Sequence, residues 1–214
     1  MSAGADHVLA LASDGYGYSW GYNQHGWLGR SVPSRGTKEL EPCRVGNLKA
    51  AAYVATGSYH SFAIDRCGKL WAWGLNQYGQ CGIADCKCGI IGCKCGVGDV
   101  IQTPTPVDAL DGYSIKRISA GEHHSAVLTM EGKLFLWGRG DDGRLGLDLP
   151  TLPVLGEIVW TKDEPRKPIY LAEPHVIPNQ RFTHISCGAH DNRVTAPRLK
   201  MKVGSWKLEL LPNI

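Results

Sequence analysis

The sequence predicts an all-β fold made of propeller blades, with about three repeats followed by the start of a fourth. Three segments align without a gap, and each has a Gly sixteen residues before a Trp and another Gly nine residues after it. The segments begin 53 and 64 residues apart, so only the connections differ in length. A repeat of this length with several short strands is typical of a propeller blade. The repeat cores are Gly4–Gly29, Gly57–Gly82 and Gly121–Gly146.

Each repeat contains the signals of a β-hairpin. Residues after the opening Gly alternate in character, as at Phe62 and Ile64, and this period of two predicts a strand. A turn then ends in Gly, which supplies the positive φ of tight turns. A second strand follows, reaches the Trp, and is predicted to end at the next Gly. The turns are Asp14-Gly15, Cys67-Gly68 and Glu131-Gly132.

Two motifs resemble those of the regulator of chromosome condensation repeat family. The Gly-x-x-His strands lie in Ser2–Leu11, Ala55–Ile64 and Ser119–Leu128. The segment Trp73–Gly82 is similar to the family's W-G-x-N-x-x-G-Q-L-G motif, with Cys81 where Leu is usual. The resemblance covers roughly Gly4 to His190 and implies part of a seven-bladed β-propeller.

The fourth repeat begins and then loses the pattern. Ile185-Ser-Cys-Gly188 parallels Ile118-Ser-Ala-Gly121, but the position that requires a Trp is Gly204. A truncated or mis-spliced reading frame explains this and is the interpretation favoured; a diverged tail also explains it. An open ring exposes blade faces, so we expect marginal stability or association. The predicted divisions are a partial propeller over 1–190 (fourth repeat starting at 182–190), a Cys/Gly-rich insert at 83–100 and a non-repeat tail at 191–214.

The resemblance implies that one propeller face contacts the small GTPase Ran. The matching positions lie two residues after each opening Gly, at Asp6, Tyr59 and His123. The acid and the histidine fit the family's exchange surface, whereas Tyr59 departs from it chemically. The alternative is that Asp6 and His123 only hydrogen-bond their own loops.

Two other sets recur in every repeat, and recurrence favours structural roles. We expect the histidine rings to bond to neighbouring backbone and the tryptophans to form the core between blades. These residues are His7, His60 and His124, and Trp20, Trp73 and Trp137.

Four cysteines in the insert are weak candidates for metal ligands, because thiolates bind Zn²⁺ and Cu⁺. Their C-x-C spacing is tighter than the usual knuckle, so a duplicated low-complexity loop is favoured and neither a metal nor another cofactor is assigned. The cysteines are Cys86, Cys88, Cys93 and Cys95. The connector Leu147–Pro178, with six Pro, is expected to be a solvated loop.

Several function classes are disfavoured. The net charge of +3 is weak support for nucleic-acid binding, and phosphate-binding and G-x-S-x-G motifs are missing. No membrane partner, small-molecule substrate or covalent chemistry is expected. The leading hypothesis is a fragment of a Ran exchange factor, nuclear by resemblance and otherwise cytoplasmic, with chromatin contacted through missing parts. The alternatives are a propeller scaffold of another pathway and a non-functional remnant.

Overall fold

A computed structural model of the chain shows a partial β-propeller, which confirms the predicted fold class. It has three blades of antiparallel strands and a further three-stranded sheet. The described residues are 1–31, 38–48, 50–83, 100–140, 144–145, 158–160, 168–178, 180–188, 192–196 and 199–203. Within these ranges, no helix is long and apolar enough to cross a bilayer.

Every blade starts with the strand nearest the propeller axis, and its next two strands follow outward in chain order. Blade 1 consists of β1 (Ser2–Ala3), β2 (His7–Leu11), β3 (Gly17–Tyr22) and β4 (Lys38–Arg44). Blade 2 consists of β5 (Ala51–Thr56), β6 (His60–Asp65), β7 (Leu70–Leu75) and β8 (Val100–Pro106). A short 3₁₀ turn at Asp108–Leu110 leads to blade 3.

Blade 3 has one strand more than the others. Its strands are β9 (Ile115–Ala120), β10 (His124–Thr129), β11 (Leu134–Arg139), β12 (Ile158–Trp160) and β13 (Pro168–Val176), in the spatial order β12-β13-β11-β10-β9. The expectation that the connector Leu147–Pro178 is only a solvated loop is therefore wrong. Pro168 is the first residue of β13, and Pro174 lies where the register between β11 and β13 shifts; a missing backbone N–H is tolerated at both kinds of position.

The last sheet contains β14 (His184–Cys187), β15 (Asn192–Ala196) and β16 (Leu199–Val203), paired antiparallel in chain order. The tail after residue 190 lacks the repeat's sequence, yet its backbone continues the sheet that β14 begins. Strand pairing uses backbone groups that every residue has, so it does not require the repeat's Trp and Gly.

The Gly after each repeat Trp lies inside the second strand, so the prediction that it ends the strand is wrong. Gly21, Gly74 and Gly138 have positive φ values of 111°, 106° and 96°. The register shifts beside each of them, which marks a β-bulge. A Cβ on Gly74 would lie 2.8 Å from both the Tyr59 carbonyl oxygen and the His60 Cα. The bulge thus brings the end of the second strand against the loop that follows the opening Gly.

The opening glycines bring neighbouring blades together at the axis. A Cβ on Gly4, Gly57 or Gly121 would lie 2.5 Å from the carbonyl oxygen of the next blade's opening Gly. It would also collide with the histidine ring of its own blade. The Ser58 N–H donates to the Gly121 carbonyl at 3.0 Å, so this close approach is also hydrogen-bonded.

The hydrophobic core lies between blades. Phe62 and Leu70 of blade 2 pack with Val127 and Trp137 of blade 3. A smaller cluster joins blade 1 to blade 2. Burial on these facing surfaces provides the main favourable free energy of blade association. The smaller cluster comprises Leu9, Val45, Leu48, Ala51, Val54, Ala63 and Trp73.

Replacing Gly57 with Ala is expected to lower the free energy of unfolding by about 3 kcal/mol, because backbone and a buried ring must both move. The matched control is Gly68→Ala, where φ is +83° and nothing lies within 4 Å of the added Cβ. That variant should lose only about 1 kcal/mol, from backbone strain alone. Urea unfolding measures both, and equal losses would contradict the axial-contact argument.

Candidate functional site

The loops at one end of the blades form a common surface, here called the loop face. It consists of 4–6, 57–59 and 121–123, together with 22–31, 75–83, 140 and 144–145. Backbone bonds hold the two groups of loops together: Tyr22 donates to the Asp6 carbonyl at 2.8 Å and Leu75 to the Tyr59 carbonyl at 2.9 Å. The hairpin turns lie at the opposite end of the blades.

Two of the three predicted site residues are in contact. The rings of Tyr59 and His123 stack with centroids 5.4 Å apart and planes inclined by 27°. Asp6 is exposed on the same face. Within the described ranges, no hydrogen bond or ion pair joins its carboxylate to its own loop or to the other two residues.

His123 is much more enclosed than a surface histidine. Only 11% of its side chain is exposed, and the Tyr78 ring meets it edge-on at 5.0 Å. The Glu122 carboxylate lies 3.6 Å from its Nε2 and forms an ion pair when the ring is protonated. His123 therefore has rings on two sides and an acid beside it.

The contacts continue on both sides of this pair. Trp27 lies 5.9 Å from the Tyr59 ring, and the Arg139 guanidinium lies 5.1 Å from the Tyr78 ring centre. Cations are attracted to aromatic faces at such distances. We call Trp27, Tyr59, His123, Tyr78 and Arg139 the aromatic row. It crosses from blade 1 to blade 3 over the loop face.

Three residues of the aromatic row, Trp27, Tyr78 and Arg139, are not among the sites that the sequence pattern predicts. Trp27 stands where the family motif has Gln, and Tyr78 and Arg139 occupy variable positions of the same motif. Trp27 is 1% exposed and stacks on His7 with centroids 5.6 Å apart. Departures from the repeat at loop positions were the available signal, but only the folded blades show that these residues meet.

A recurring hydrogen-bond network joins each blade to the next. His7 Nε2 lies 2.9 Å from Ser61 Oγ, which donates to the Trp27 carbonyl at 2.8 Å. The Trp73 indole N–H donates to that same carbonyl at 2.8 Å. Blades 2 and 3 repeat the arrangement with His60, Ser125, the Gln80 carbonyl and Trp137.

These bonds determine which nitrogen of the ring carries the proton. A serine hydroxyl has one hydrogen, and Ser61 gives it to a carbonyl that can only accept. His7 Nε2 must therefore donate to Ser61, and the same reasoning applies to His60 and Ser125. The prediction that the rings bond to backbone is wrong, because a serine lies between ring and carbonyl.

Burial keeps these histidines neutral. Desolvation lowers the pKa of His7 from 6.5 to about 4, and it lowers the pKa of the fully enclosed His60 well below 6.5. His124, His60 and Ser125 are 0% exposed. The contacts of His7 and His60 are those of a joint between blades, which agrees with the structural role predicted for this set.

The burial of the repeat tryptophans depends on their position in the chain. Trp73 and Trp137 are 0% exposed and bond to the preceding blade, which confirms their predicted role as core. Trp20 is only partly buried. It lies in blade 1, whereas each of the other two tryptophans bonds to a carbonyl of the preceding blade.

The candidate metal ligands Cys86, Cys88, Cys93 and Cys95 lie outside the described residues. In the part of the chain that is described, no group of three or more His, Cys, Asp or Glu side chains could hold a metal ion. Cys81 is fully buried; desolvation raises the pKa of its thiol, which lies 3.5 Å from the Leu75 carbonyl. The described side chains therefore give no additional support to a metal site at those four cysteines.

A depression of about 320 Å³ lies where the loop face meets the propeller axis. Small residues line it, and its described lining includes no charged side chain. The close approach of the opening glycines explains this lining. The polar and aromatic chemistry of the face therefore lies on the loops around the depression.

The family model described as regulator of chromosome condensation (RCC1) repeat matches residues 14–64, 67–128 and 131–190. A second model with the same description matches 1–26 and 52–80.

Similar proteins are known from yeasts. Protein pim1 of Schizosaccharomyces pombe is 40% identical over 96% of this chain and 36% of its own length. The guanine nucleotide exchange factor SRM1 of Saccharomyces cerevisiae is 33% identical over 92% of this chain and 38% of its own length. The chain thus spans just over a third of these two relatives.

A similar fold occurs in the crystal structure of Prp20p from Saccharomyces cerevisiae, a protein whose binding to Gsp1p and histones has been described. The TM-score is 0.77 at 30% identity, over 94% of this chain and 44% of that one.

The buried histidines predict that stability falls on acidification. Below pH 6.5 the unfolded chain protonates His7 and His60 while the folded chain keeps them neutral, so protons favour unfolding. Their contribution to the free energy of unfolding is complete above pH 6.5. It is lost at roughly 1.4 kcal/mol per pH unit per histidine as the pH falls toward 4.

Urea unfolding at pH 7.5, 6.0 and 5.0 measures this slope. His60→Gln should remove about one histidine's share, because Gln does not titrate. His184→Gln, at an exposed histidine, is the matched control. A slope that stays the same in His60→Gln would show that other groups cause the acid sensitivity.

Proposed function

Because this chain belongs to the regulator of chromosome condensation repeat family, we propose that its loop face binds a small GTPase of the Ran class and promotes nucleotide exchange. The names of its relatives support this. SRM1 is a guanine nucleotide exchange factor, and Prp20p binds Gsp1p. The same reasoning favours a nuclear location, with histones as a partner of the whole protein.

One structural observation carries the proposal. The loops after the opening glycines of three successive blades lie on one face, and Tyr59 and His123 touch there at 5.4 Å. Beside them the face presents the exposed carboxylate of Asp6 and the partly exposed one of Glu122. A partner seated on this face would contact several blades at once.

Exchange of this kind requires no covalent step. A factor that binds the nucleotide-free GTPase more tightly than the nucleotide-bound form shifts the equilibrium toward nucleotide release. A hundredfold preference corresponds to about 2.7 kcal/mol of differential binding free energy. Polar loop residues are suited to this, because they can contact groups that the departing nucleotide uncovers.

The test compares the affinity of the chain for nucleotide-free and GDP-bound Ran, together with release of a fluorescent GDP. We expect at least tenfold tighter binding of the nucleotide-free form and accelerated release. Equal affinity for both forms would contradict the exchange proposal and favour a propeller scaffold. No binding of either form would favour a remnant that has lost this function.

Asp6→Ala should weaken binding to nucleotide-free Ran by about tenfold, since an exposed charge of the proposed contact surface is lost. Asp108→Ala is the matched control: this carboxylate is also exposed but lies near the hairpin turns, where it bonds Lys69 at 3.3 Å. Biolayer interferometry measures both dissociation constants. Equal effects of the two changes would place the contact away from Asp6.

A further inference from the structure

His123, one of the enclosed members of the aromatic row, lies between two more exposed tyrosines. His123 has 11% of its side chain exposed, whereas Tyr59 and Tyr78 are both partly exposed. A side chain with so little free surface adds little contact area to any partner. Tyr59 and Tyr78, in contrast, each keep part of their surface accessible to solvent.

The geometry indicates that His123 orients neighbouring side chains and does not itself contact a partner. It stacks on Tyr59 at 27° and receives Tyr78 edge-on at 63°, and both arrangements are favourable for aromatic pairs. Tyr59 and Tyr78 belong to blade 2 and His123 to blade 3. The ring of His123 therefore fixes two side chains of the neighbouring blade in one orientation.

The outer members of the row extend this restraint. Trp27 of blade 1 also contacts the Tyr59 ring, and Arg139 of blade 3 lies over the Tyr78 ring. Each tyrosine thus contacts two other members of the row. Side chains that are already ordered lose little conformational freedom when the partner binds. For two side chains this raises the affinity about tenfold.

We propose that His123 is a positioning residue, and that Tyr59 and Tyr78, with Arg139 behind Tyr78, form the surface that the small GTPase contacts. This rests on the proposed function, and it adds Tyr78 and Arg139 to the predicted site. It also gives His123 a role that depends on its planar ring and not on its charge or its hydrogen bonds.

The test uses three changes at His123 in the full chain. His123→Phe keeps the planar ring, His123→Gln keeps a polar group without the ring, and His123→Ala removes both. Affinity for nucleotide-free Ran should fall about tenfold in His123→Ala and His123→Gln and stay within twofold of wild type in His123→Phe. Equally weak binding of all three variants would overturn the positioning role.

The contact role of Tyr78 has its own comparison. Tyr78→Ala should weaken binding about tenfold, whereas Tyr53→Ala should leave it unchanged. Tyr53 is 42% exposed on β5, away from the loop face, so it controls for loss of a surface tyrosine. Circular dichroism confirms that each variant is folded. Wild-type affinity of Tyr78→Ala would overturn its place in the contact surface.

A second measurement needs no GTPase. In chain labelled with 3-fluorotyrosine, the ¹⁹F signals of Tyr59 and Tyr78, assigned by Tyr→Phe changes, should shift in His123→Ala and stay near their wild-type positions in His123→Phe. Unchanged signals in His123→Ala would refute the positioning role. Shifted signals in a chain that binds no Ran would retain it, while the proposed function and the contact surface would both fail.

Discussion

One backbone carbonyl at each blade junction accepts two hydrogen bonds from the following blade. At the first junction it belongs to Trp27, which receives Ser61 Oγ and Trp73 Nε1, both at 2.8 Å. At the second it belongs to Gln80. The side chain of the residue is free to differ, because only its carbonyl is used. A buried carbonyl left without donors is costly, so each junction requires both Ser and Trp from the next blade.

This junction explains why the repeat spacing does not vary. The opening Gly must lie against the next blade's carbonyl, the histidine must reach the next blade's serine, and the Trp must reach the preceding blade's loop. A change in the number of residues between these points would break several contacts together. The segments outside the junction are under no such restraint, and the connections of blades 2 and 3 are accordingly longer.

Apart from Trp27, the aromatic row is built on positions that the junction does not use. Trp27 contributes its carbonyl to the junction and its ring to the loop face, so one residue serves both. Tyr59 and His123 lie between the opening Gly and the buried histidine, in a loop held by the bulge at the end of the second strand. A rigid joint thus presents variable side chains at fixed distances.

The sequence by itself determined the blade repeat, the hairpin turns and the glycines, histidines and tryptophans of the blade junction, because these depend on short-range spacing and on glycines that have no substitute. It also indicated Asp6, Tyr59 and His123, since they share one place in the repeat. Only the tertiary structure decided that His123 is enclosed, that Tyr78 and Arg139 join it, and that a serine separates His7 and His60 from the junction carbonyls. These contacts connect residues of different blades. The distance between such residues depends on how the blades pack, so it cannot be predicted from their spacing along the chain.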